Sequence, residues 1–203
     1  MLSVLLLTFV LASCAGKPPA KEKEEVTVRV AIAPGVVHLD AQDTNTRYAF
    51  EVTQLCYENL FERDKDGKLQ PWLVSDWSVS GDGLVYTFHV REGVKFHDGT
   101  PLDAEAVKVN LERKIQRDQP LASMLKPYLQ EMRVTGPMTL ELRFNKPMFD
   151  LPGILAAKTF AIYSPKALRE QQPEWFKENM VGTGPFILKE YRKGEYAKFV
   201  RNP

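Results

Sequence analysis

Residues 84–117 read LVYTFHVREGVKFHDGTPLDAEAVKVNLERKIQR, and this stretch contains a predicted strand followed by a predicted helix. Leu84 to Val90 alternates apolar and polar side chains, which predicts a half-buried strand. Asp103 stands just before an apolar repeat at three- and four-residue spacing, so it is predicted to cap a helix over residues 104–117. Glycines and a proline between the two elements favour turns. The stretch therefore predicts a mixed α/β fold of the α+β kind.

Local periodicity and turn residues predict further elements on both sides of this stretch. They are, in chain order, a strand over Val26–Ala33, a helix from Asn45 or Thr46 through Leu60, a hairpin of Asp76–Ser80 with Leu84–Val90, a hairpin of Glu131–Thr135 with Thr139–Phe144, a buried strand over Thr159–Tyr163, a helix capped by Ser164, and a hairpin of Phe186–Tyr191 with Tyr196–Val200. Strands joined by short turns pair antiparallel. We therefore expect largely antiparallel sheet with helices between the hairpins.

The composition restricts the function classes. The 203 residues carry 27 Lys and Arg against 26 Asp and Glu, which is a net charge of +1. Proteins that bind nucleic acid neutralise many phosphates with a basic excess, so no nucleic-acid partner is expected. Balanced charge together with 10% aromatic residues is typical of a globular chain that buries a core.

The first 25 residues differ from the rest and predict an export signal. Residues 1–13 contain no charge, and their apolar run is shorter than the ~20 residues that span a bilayer, which is typical of a signal peptide. Small residues then lead to Cys14 in a pattern that resembles the lipobox of bacterial lipoproteins, which implies cleavage before Cys14 and its lipidation. Charge and proline make residues 14–25 a predicted tether. The alternative is a buried N-terminal element with a core cysteine.

Catalytic and metal-binding motifs are not found in the sequence. His38, His89 and His97 stand too far apart for a local metal site, and no CxxC, HExxH or GxSxG pattern occurs. His97-Asp98 lies in a predicted turn, where the aspartate is expected to accept hydrogen bonds from nearby backbone N–H groups. Cys56 is expected to be a small apolar core residue. The sequence therefore predicts neither an enzyme nor a cofactor, although a reactive Cys56 or a His97–Asp98 pair is the enzymatic alternative.

One glycine motif invites a different prediction. Gly182-Thr183-Gly184 resembles the start of a phosphate-binding GxGxxG loop. However, Pro185 removes a backbone donor, and a strand rather than a helix is predicted to follow. Nucleotide binding is therefore not expected at this motif.

Several phrases together resemble family 5 of the extracytoplasmic solute-binding proteins, the peptide, dipeptide and nickel receptors of ABC importers. They occur in family order between residues 57 and 203. The phrases are YENLF (57–61), LQPWLVSDW (69–77), SGDGLVYTF (80–88), VREGVKFHDGTP (90–101), VGTGPF (181–186) and RNP (201–203). One phrase alone would be weak, but their shared order identifies the chain as a member of this family.

The resemblance implies a fold, a location and partners. The fold is periplasmic-binding-protein-like, type II (cluster C), with a large lobe, an inserted subdomain and a second lobe. Residues 26–45 and 181–203 would form part of the base of the large lobe, and residues 46–180 the inserted subdomain. Because such receptors are more than twice as long, we expect an N-terminal fragment that lacks the second lobe. The protein is expected to act as a monomer outside the membrane, held by its lipid anchor, with ABC permease subunits as partners.

The resemblance also implies solute contacts. In the family, a loop after the first strand, often written lDP, reaches the cleft, and residues 36–40 match it, with alanine in place of the proline at position 41. Val36, Val37 and His38 are therefore expected to contact the solute. A second group of contacts is expected at the start of the next helix, namely Arg47, Tyr48 and Phe50. The alternative is that residues 36–40 form a surface turn and that Phe50 belongs to the core.

The solute class is the least constrained prediction. Nickel-type members grip a metal chelate with arginines, and two of those places are occupied here by Pro120 and Lys158. Lys158 is expected to bind a carboxylate as a point charge, without the planar fork of arginine. A peptide or similar small solute is therefore the leading prediction, and a nickel chelate is the alternative. A surface signalling or adhesion lipoprotein without transport is the other class considered.

Overall fold

The computed structural model describes residues 38–44, 46–117 and 120–203. The predicted signal peptide, Cys14, the tether, the strand Val26–Ala33 and the contacts Val36 and Val37 lie outside the described residues. In chain order the elements are α1 (Arg47–Thr53), β1 (Phe61–Arg63), β2 (Leu69–Pro71), β3 (Val74–Val79), β4 (Val85–Val90), α2 (Ala104–Gln116), α3 (Pro120–Leu125), β5 (Leu129–Gly136), β6 (Thr139–Phe144), α4 (Leu151–Leu155), α5 (Pro165–Glu170), β7 (Phe186–Arg192) and β8 (Tyr196–Arg201). Over these residues, every helix is too short or too polar to span a bilayer.

A four-stranded antiparallel sheet with the order β3-β4-β6-β5 forms from two of the predicted hairpins. The hairpins β3–β4 and β5–β6 are joined at the centre by the pairing of β4 with β6. Alternate side chains of the two central strands are buried, as their sequence patterns predict. These side chains are Tyr86, Phe88, Val90, Leu140, Leu142 and Phe144.

Helix α2 packs on β5 and β6 and begins where the sequence predicts. The carboxylate of Asp103 accepts a hydrogen bond from the N–H of Ala106 at 2.7 Å, which satisfies one of the free donors of the first turn. The predicted face of α2 is buried, namely Ala106, Val107, Asn110, Leu111 and Ile115. Ala106, Val107 and Leu111 of this face join the sheet in a cluster between Leu60 and Ile162, here called the first core. Each large apolar side chain buried there contributes about 1.5–3 kcal/mol.

A second apolar cluster, here called the second core, combines two separate parts of the chain. Its buried members are Leu39, Ala41, Val52, Cys56, Tyr57, Ala161, Tyr163, Ala167, Phe176 and Met180. The hairpin β7–β8 packs against it through Leu188, Tyr191, Ala197 and Phe199. The stacked rings of Tyr57 and Tyr163, with centroids 4.1 Å apart, join the two parts. The second core therefore depends on contacts between residues that are distant in sequence.

The glycine motif crosses directly over the chain that follows α1. The N–H of Gly184 donates to the carbonyl of Cys56 at 2.9 Å, and that of Phe186 donates to the carbonyl of Leu55 at 3.0 Å. A Cβ atom added to Gly182 would lie 2.1 Å from the Cys56 oxygen, and one added to Gly184 would lie 2.7 Å from the Leu55 oxygen. These glycines are therefore required by backbone packing, as expected of a motif that does not bind nucleotide.

Helix α1 begins as predicted but ends earlier. Thr46 caps it, since its side chain accepts from the N–H of Ala49, but the helix ends at Thr53 rather than continuing through Leu60. The carbonyls of Leu55 and Cys56 accept hydrogen bonds from Phe186 and Gly184. Because these tertiary bonds use the acceptors that a longer helix would need, the apolar spacing alone predicted the wrong end.

The predicted strand Thr159–Tyr163 is wrong, although its burial is correct. Lys158–Phe160 forms a 3₁₀ helix, and Ala161, Ile162 and Tyr163 are extended and buried without a strand partner. The side-chain amide of Asn110 accepts from the N–H of Tyr163 and donates to its carbonyl, both at 2.8 Å. A side chain thus takes both bonds that a neighbouring strand would otherwise provide.

Candidate functional site

The segment His38–Thr44 leads into α1 and contains the first predicted contact that the structure describes. Leu39 and Ala41 point into the second core, whereas the side chains between and after them, Asp40 and Gln42, are polar and equally buried. The N–H of Leu39 donates to the carbonyl of Lys177, and the N–H groups of Asp43 and Thr44 both donate to the carbonyl of Asp40. The segment is thus a turn with both apolar and polar anchors.

Asp40 is the centre of the polar anchoring. Its carboxylate is 1% exposed and accepts from Arg113 and Arg117, each at 2.9 Å, and from the hydroxyl of Tyr163 at 2.9 Å. Burial acts to raise the pKa of Asp40, but the two guanidinium groups outweigh it, so that the pKa lies below its ordinary value of 3.8. Asp40 is therefore an ionised, fully paired group that ties the segment to α2.

Arg113 contacts the segment at more than one place. It donates to the carboxylate of Asp40 at 2.9 Å and to the side-chain oxygen of Gln42 at 2.5 Å. Its guanidinium also lies over the rings of Tyr163 and Phe176, 4.9 and 5.1 Å from their centroids. A planar fork can make both sets of contacts at once, which an ammonium group cannot.

Lys114, the next residue along α2, is a buried cation. Its ammonium donates to the carbonyl of Gln42 at 2.9 Å and to the hydroxyl of Thr159. Burial lowers the pKa of Lys114 to about 8, although the carboxylate of Asp40 opposes the shift. Lys114 therefore also binds this segment, through the backbone carbonyl of Gln42. Its ammonium loses a proton at moderately alkaline pH.

The predicted contacts on α1 lie at its first turn. Arg47 is exposed and pairs with Glu51 one turn later at 3.1 Å. Tyr48 presents its ring to solvent with 39% of its surface exposed, while Phe50 is half-buried. Among the described residues, no hydrogen bond joins His38 to any of these three side chains. The structure thus places His38 at the start of the segment, and Arg47, Tyr48 and Phe50 on α1 after its end.

Lys158 has a different neighbourhood. Its ammonium donates to both oxygens of Glu62, at 2.9 and 2.6 Å, and the pair is about one-third exposed or less. A carboxylate on a solute would have to compete with Glu62 for this cation. Contact of Lys158 with a solute stays a prediction, now with a named competitor.

A cavity of about 600 Å³ lies beside His38. The described residues that line it are His38, Glu174, Trp175, Lys177, Glu178 and Lys193. The Nδ1 atom of His38 is buried and receives no hydrogen bond from any described residue. The cavity combines an aromatic ring, charges of both signs and an imidazole, which are groups suited to a zwitterionic solute.

The candidates for catalysis have structural roles. The N–H of Gly182 donates to His97 Nδ1 at 3.4 Å, and His97 Nε2 lies 2.9 Å from the carbonyl of Gly184, so the imidazole is neutral in this geometry. Burial lowers the pKa of His97, which agrees with that state. Asp98 accepts from the N–H of Thr100 at 3.0 Å, as predicted for the turn.

Burial raises the pKa of the free Cys56 thiol to about 12, so it is unsuited to act as a nucleophile. Within the described ranges, no group of three acidic, histidine or cysteine side chains is arranged to hold a metal ion.

The polar anchors were missed from the sequence, although one signal was present. Asn110 was assigned to the buried face of α2, and Lys114 follows it by one turn on that face. A lysine at an apolar-face position must find polar partners inside the protein. That rule would have pointed to Lys114, but nothing local identified Asp40, which lies 73 residues from Arg113 in the chain.

Comparison with known proteins gives four consistent findings. Residues 68–203 match the sequence profile described as "Bacterial extracellular solute-binding proteins, family 5 Middle". The glutathione-binding protein GsiB of Salmonella paratyphi A is 35% identical over 189 residues, which are 93% of this chain and 36% of that protein. An ABC transporter substrate-binding protein from Sinorhizobium meliloti superposes with a TM-score of 0.72 at 30% identity, covering 82% of this chain and 34% of the other. A nickel ABC transporter protein from Bacillus halodurans gives 0.67 and 27%, covering 82% and 33%. The chain spans about a third of the length of these relatives.

Proposed function

The chain belongs to family 5 of the bacterial extracellular solute-binding proteins, and from this premise we propose that it serves as the solute receptor of an ABC importer. It would capture a solute outside the cytoplasmic membrane and deliver it to permease subunits. The observation that carries this proposal is the 35% identity with GsiB across 93% of the chain. The matched relatives are named as binding proteins and transporter components, which favours a receptor over an enzyme.

The proposed solute is a short peptide of the glutathione type. Glutathione is a tripeptide with two carboxylates and one ammonium group, so a receptor for it needs charges of both signs. The cavity beside His38 has Lys193 for a carboxylate and Glu178 for an ammonium, with Trp175 as an apolar surface. Lys177 also lines it, but a solute would compete for its ammonium with Glu174, which lies 2.7 Å away. A nickel chelate is the second candidate, because the Bacillus halodurans protein shares the fold at 27% identity.

The proposed contacts follow the segment and the first turn of α1. Val36, Val37 and His38 would form one group, and Arg47, Tyr48 and Phe50 the other, with Lys158 as a candidate partner for a carboxylate. The exposed ring of Tyr48 and the unpaired Nδ1 of His38 among the described residues support these assignments. The Tyr48 ring offers a solute an exposed surface, whereas Nδ1 of His38 is a buried polar atom that no described residue satisfies.

We propose the domain arrangement that the family resemblance implies. Residues 26–45 and 181–203 would belong to the base of the large lobe, and residues 46–180 to the inserted subdomain. The packing of the hairpin β7–β8 and of Leu39 in the same second core supports a common base, and residues 52–57 and 161–180 at the two ends of the inserted range pack into that core as well. The first core, formed entirely between Leu60 and Ile162, supports a compact inserted unit.

The proposed location is the outer side of the cytoplasmic membrane, with a lipid on Cys14. An uncharged apolar run before Cys14 and membership of an extracellular family support it. Cells grown with radiolabelled palmitate should label the protein, and Cys14→Ser should abolish the label. A labelled Cys14→Ser protein, or an unlabelled wild type, would refute the anchor.

The function is tested by isothermal titration calorimetry on the protein purified as the cell makes it. Reduced glutathione, an unrelated tetrapeptide and a nickel–histidine chelate are titrated separately. We expect glutathione or the tetrapeptide to bind with a Kd in the micromolar range or below, on the order of −8 kcal/mol. Binding of the nickel chelate alone would establish the second candidate, and no heat from any of the three would contradict a receptor for these solutes.

A further inference from the structure

Arg113 contacts two side chains of the segment His38–Thr44. One end of its guanidinium donates to Asp40 at 2.9 Å, and another donates to Gln42 at 2.5 Å. Asp40 begins the turn between His38 and α1, since its carbonyl accepts from the N–H groups of Asp43 and Thr44, and Gln42 lies inside that turn. A single planar group therefore spans the turn, and the rings of Tyr163 and Phe176 fix the plane of that group.

The contacts of Arg113 fix the backbone conformation of the turn as well as the positions of the Asp40 and Gln42 side chains. Asp40 Oδ1 accepts from the N–H of Gln42 at 3.2 Å, while Asp40 Oδ2 is the atom that Arg113 holds. The amide of Gln42 donates to the carbonyl of Ala161 at 2.8 Å with its nitrogen and accepts from Arg113 with its oxygen. Rotation of either side chain would break bonds on both sides, so the turn has one well-defined conformation.

We propose that Arg113 is a positioning residue for solute binding. It acts through Asp40 and Gln42 to hold the turn, and it thereby sets the place of His38 at one end and of Tyr48 at the other. The inference rests on the proposed function, because it assumes that these two residues meet the solute. Holding a binding segment in its bound conformation raises affinity by removing the entropy cost of ordering it.

Arg117 provides a matched control on the same helix. It donates to the same oxygen of Asp40 at 2.9 Å and lies 3.7 Å from Asp43. It forms no contact with Gln42 or the two rings among those described. Replacement of either arginine by lysine keeps the charge beside Asp40, but only Arg113→Lys removes the fork that spans the turn.

The test compares Arg113→Lys, Arg117→Lys and Leu111→Ala in the protein as the cell makes it. Leu111→Ala lowers stability from the first core without touching the segment. Calorimetry with reduced glutathione gives the Kd, and amide hydrogen exchange at Leu39, Gln42 and Thr44 gives the order of the segment without any solute. Both are measured well below the thermal midpoint of every variant.

We expect Arg113→Lys to weaken glutathione binding about tenfold and to speed exchange in the segment by a similar factor. Arg117→Lys and Leu111→Ala should change either quantity by less than about threefold. Equal losses in Arg113→Lys and Leu111→Ala, or unchanged exchange in Arg113→Lys, would overturn the proposal. If Arg113→Lys does not fold, Gln42→Met removes the same contact from the other side, and the same outcomes apply.

The two levels of the proposal fail in different ways. A wild-type protein that binds neither glutathione nor the tetrapeptide refutes the peptide receptor and the positioning role together. In that case, fast exchange in Arg113→Lys would show that Arg113 orders the segment, but only as a structural residue. A wild-type protein that binds, with normal affinity in Arg113→Lys, refutes the positioning role alone.

Discussion

The two cores of the molecule are built from different parts of the chain and held by different forces. The first core uses residues from one continuous stretch, and its interior is apolar around β4, β6 and α2. The second core joins residues near Leu39 and Cys56 to residues beyond Ala161, and an ionised aspartate with two arginines lies beside it. The difference shows that the candidate site depends on contacts between distant parts of the chain, whereas the sheet is built within one continuous stretch.

Apolar burial and paired charge have different consequences for structure. Hydrophobic contacts are non-directional, so a sheet core tolerates substitutions that keep volume and pattern. Hydrogen bonds to a buried carboxylate require particular distances and angles, so they specify one arrangement. The region that is proposed to meet the solute is therefore the one whose conformation is fixed most narrowly.

The largest expected loss comes from the first core. Phe88→Ala removes a fully buried ring at the centre of β4 and should lower the free energy of unfolding by about 4 kcal/mol. Urea denaturation measures the change. Phe149→Ala is the matched control, because that ring is 90% exposed, and it should change stability by less than about 0.5 kcal/mol. Equal effects of the two changes would mean that the sheet core is misplaced.

Gly182→Ala adds one methyl group and tests the close approach of the glycine motif to the chain that follows α1. Gly182→Ala would place a Cβ atom 2.1 Å from the carbonyl oxygen of Cys56, and two backbones would have to separate. We expect a loss of about 3 kcal/mol in the same assay. Gly81→Ala adds the same atom where nothing lies within 4 Å, and should be nearly neutral. A stable Gly182→Ala protein would contradict the crossing.

Asp40→Asn tests the charge in the anchoring network. It leaves Arg113 and Arg117 without their carboxylate, at an expected cost of about 2–3 kcal/mol at pH 7. Because the folded pKa of Asp40 lies below its ordinary 3.8, its contribution is present above that pH and is lost as the pH falls through the folded value. The difference between wild type and variant should therefore shrink below about pH 4.

The control for this measurement is the exposed pair of Lys65 and Asp66. Asp66→Asn should change stability by less than about 1 kcal/mol at pH 7. A difference between wild type and Asp40→Asn that stays constant down to pH 2 would show that folding does not lower the pKa of Asp40.

Lys114→Met is expected to give the smallest effect, and only its pH dependence is diagnostic. Burial lowers the folded pKa of Lys114 to about 8 from 10.5, so between these values the unfolded chain binds more protons than the folded one. Stability of the wild type should therefore rise relative to Lys114→Met between pH 7 and about 9.5, by on the order of 1–2 kcal/mol. Thr159→Val keeps the lysine and should keep this rise. A wild type that shows no rise relative to the variant would mean that Lys114 is hydrated.

The same contrast explains how much the sequence could predict. The alternation in β4 and β6, the cap at Asp103 and the turns of the hairpins are local signals, and each predicted element formed. The end of α1 and the path of residues 161–163 depend on bonds to Gly184, Phe186 and Asn110, which are distant in sequence. Local periodicity has no access to such bonds.

The candidate site likewise contains residues that the sequence could predict and residues that it could not. The family resemblance predicts His38 from the loop that matches lDP, and Tyr48 from its place at the start of the next helix. The network of Asp40, Arg113 and Arg117 has no local sequence signature. Its members come into contact only when α2 packs beside the segment. Pairing of a buried charge is a property of the folded chain.

The most direct test of the account is the affinity for reduced glutathione of His38→Ala and Tyr48→Ala, measured by calorimetry beside Phe88→Leu. The account predicts that each alanine variant binds about tenfold more weakly, because each loses a contact at one end of the segment. Phe88→Leu perturbs only the first core and should keep its Kd within about twofold. Unchanged affinity in both alanine variants would contradict the claim that the segment beside the second core meets the solute.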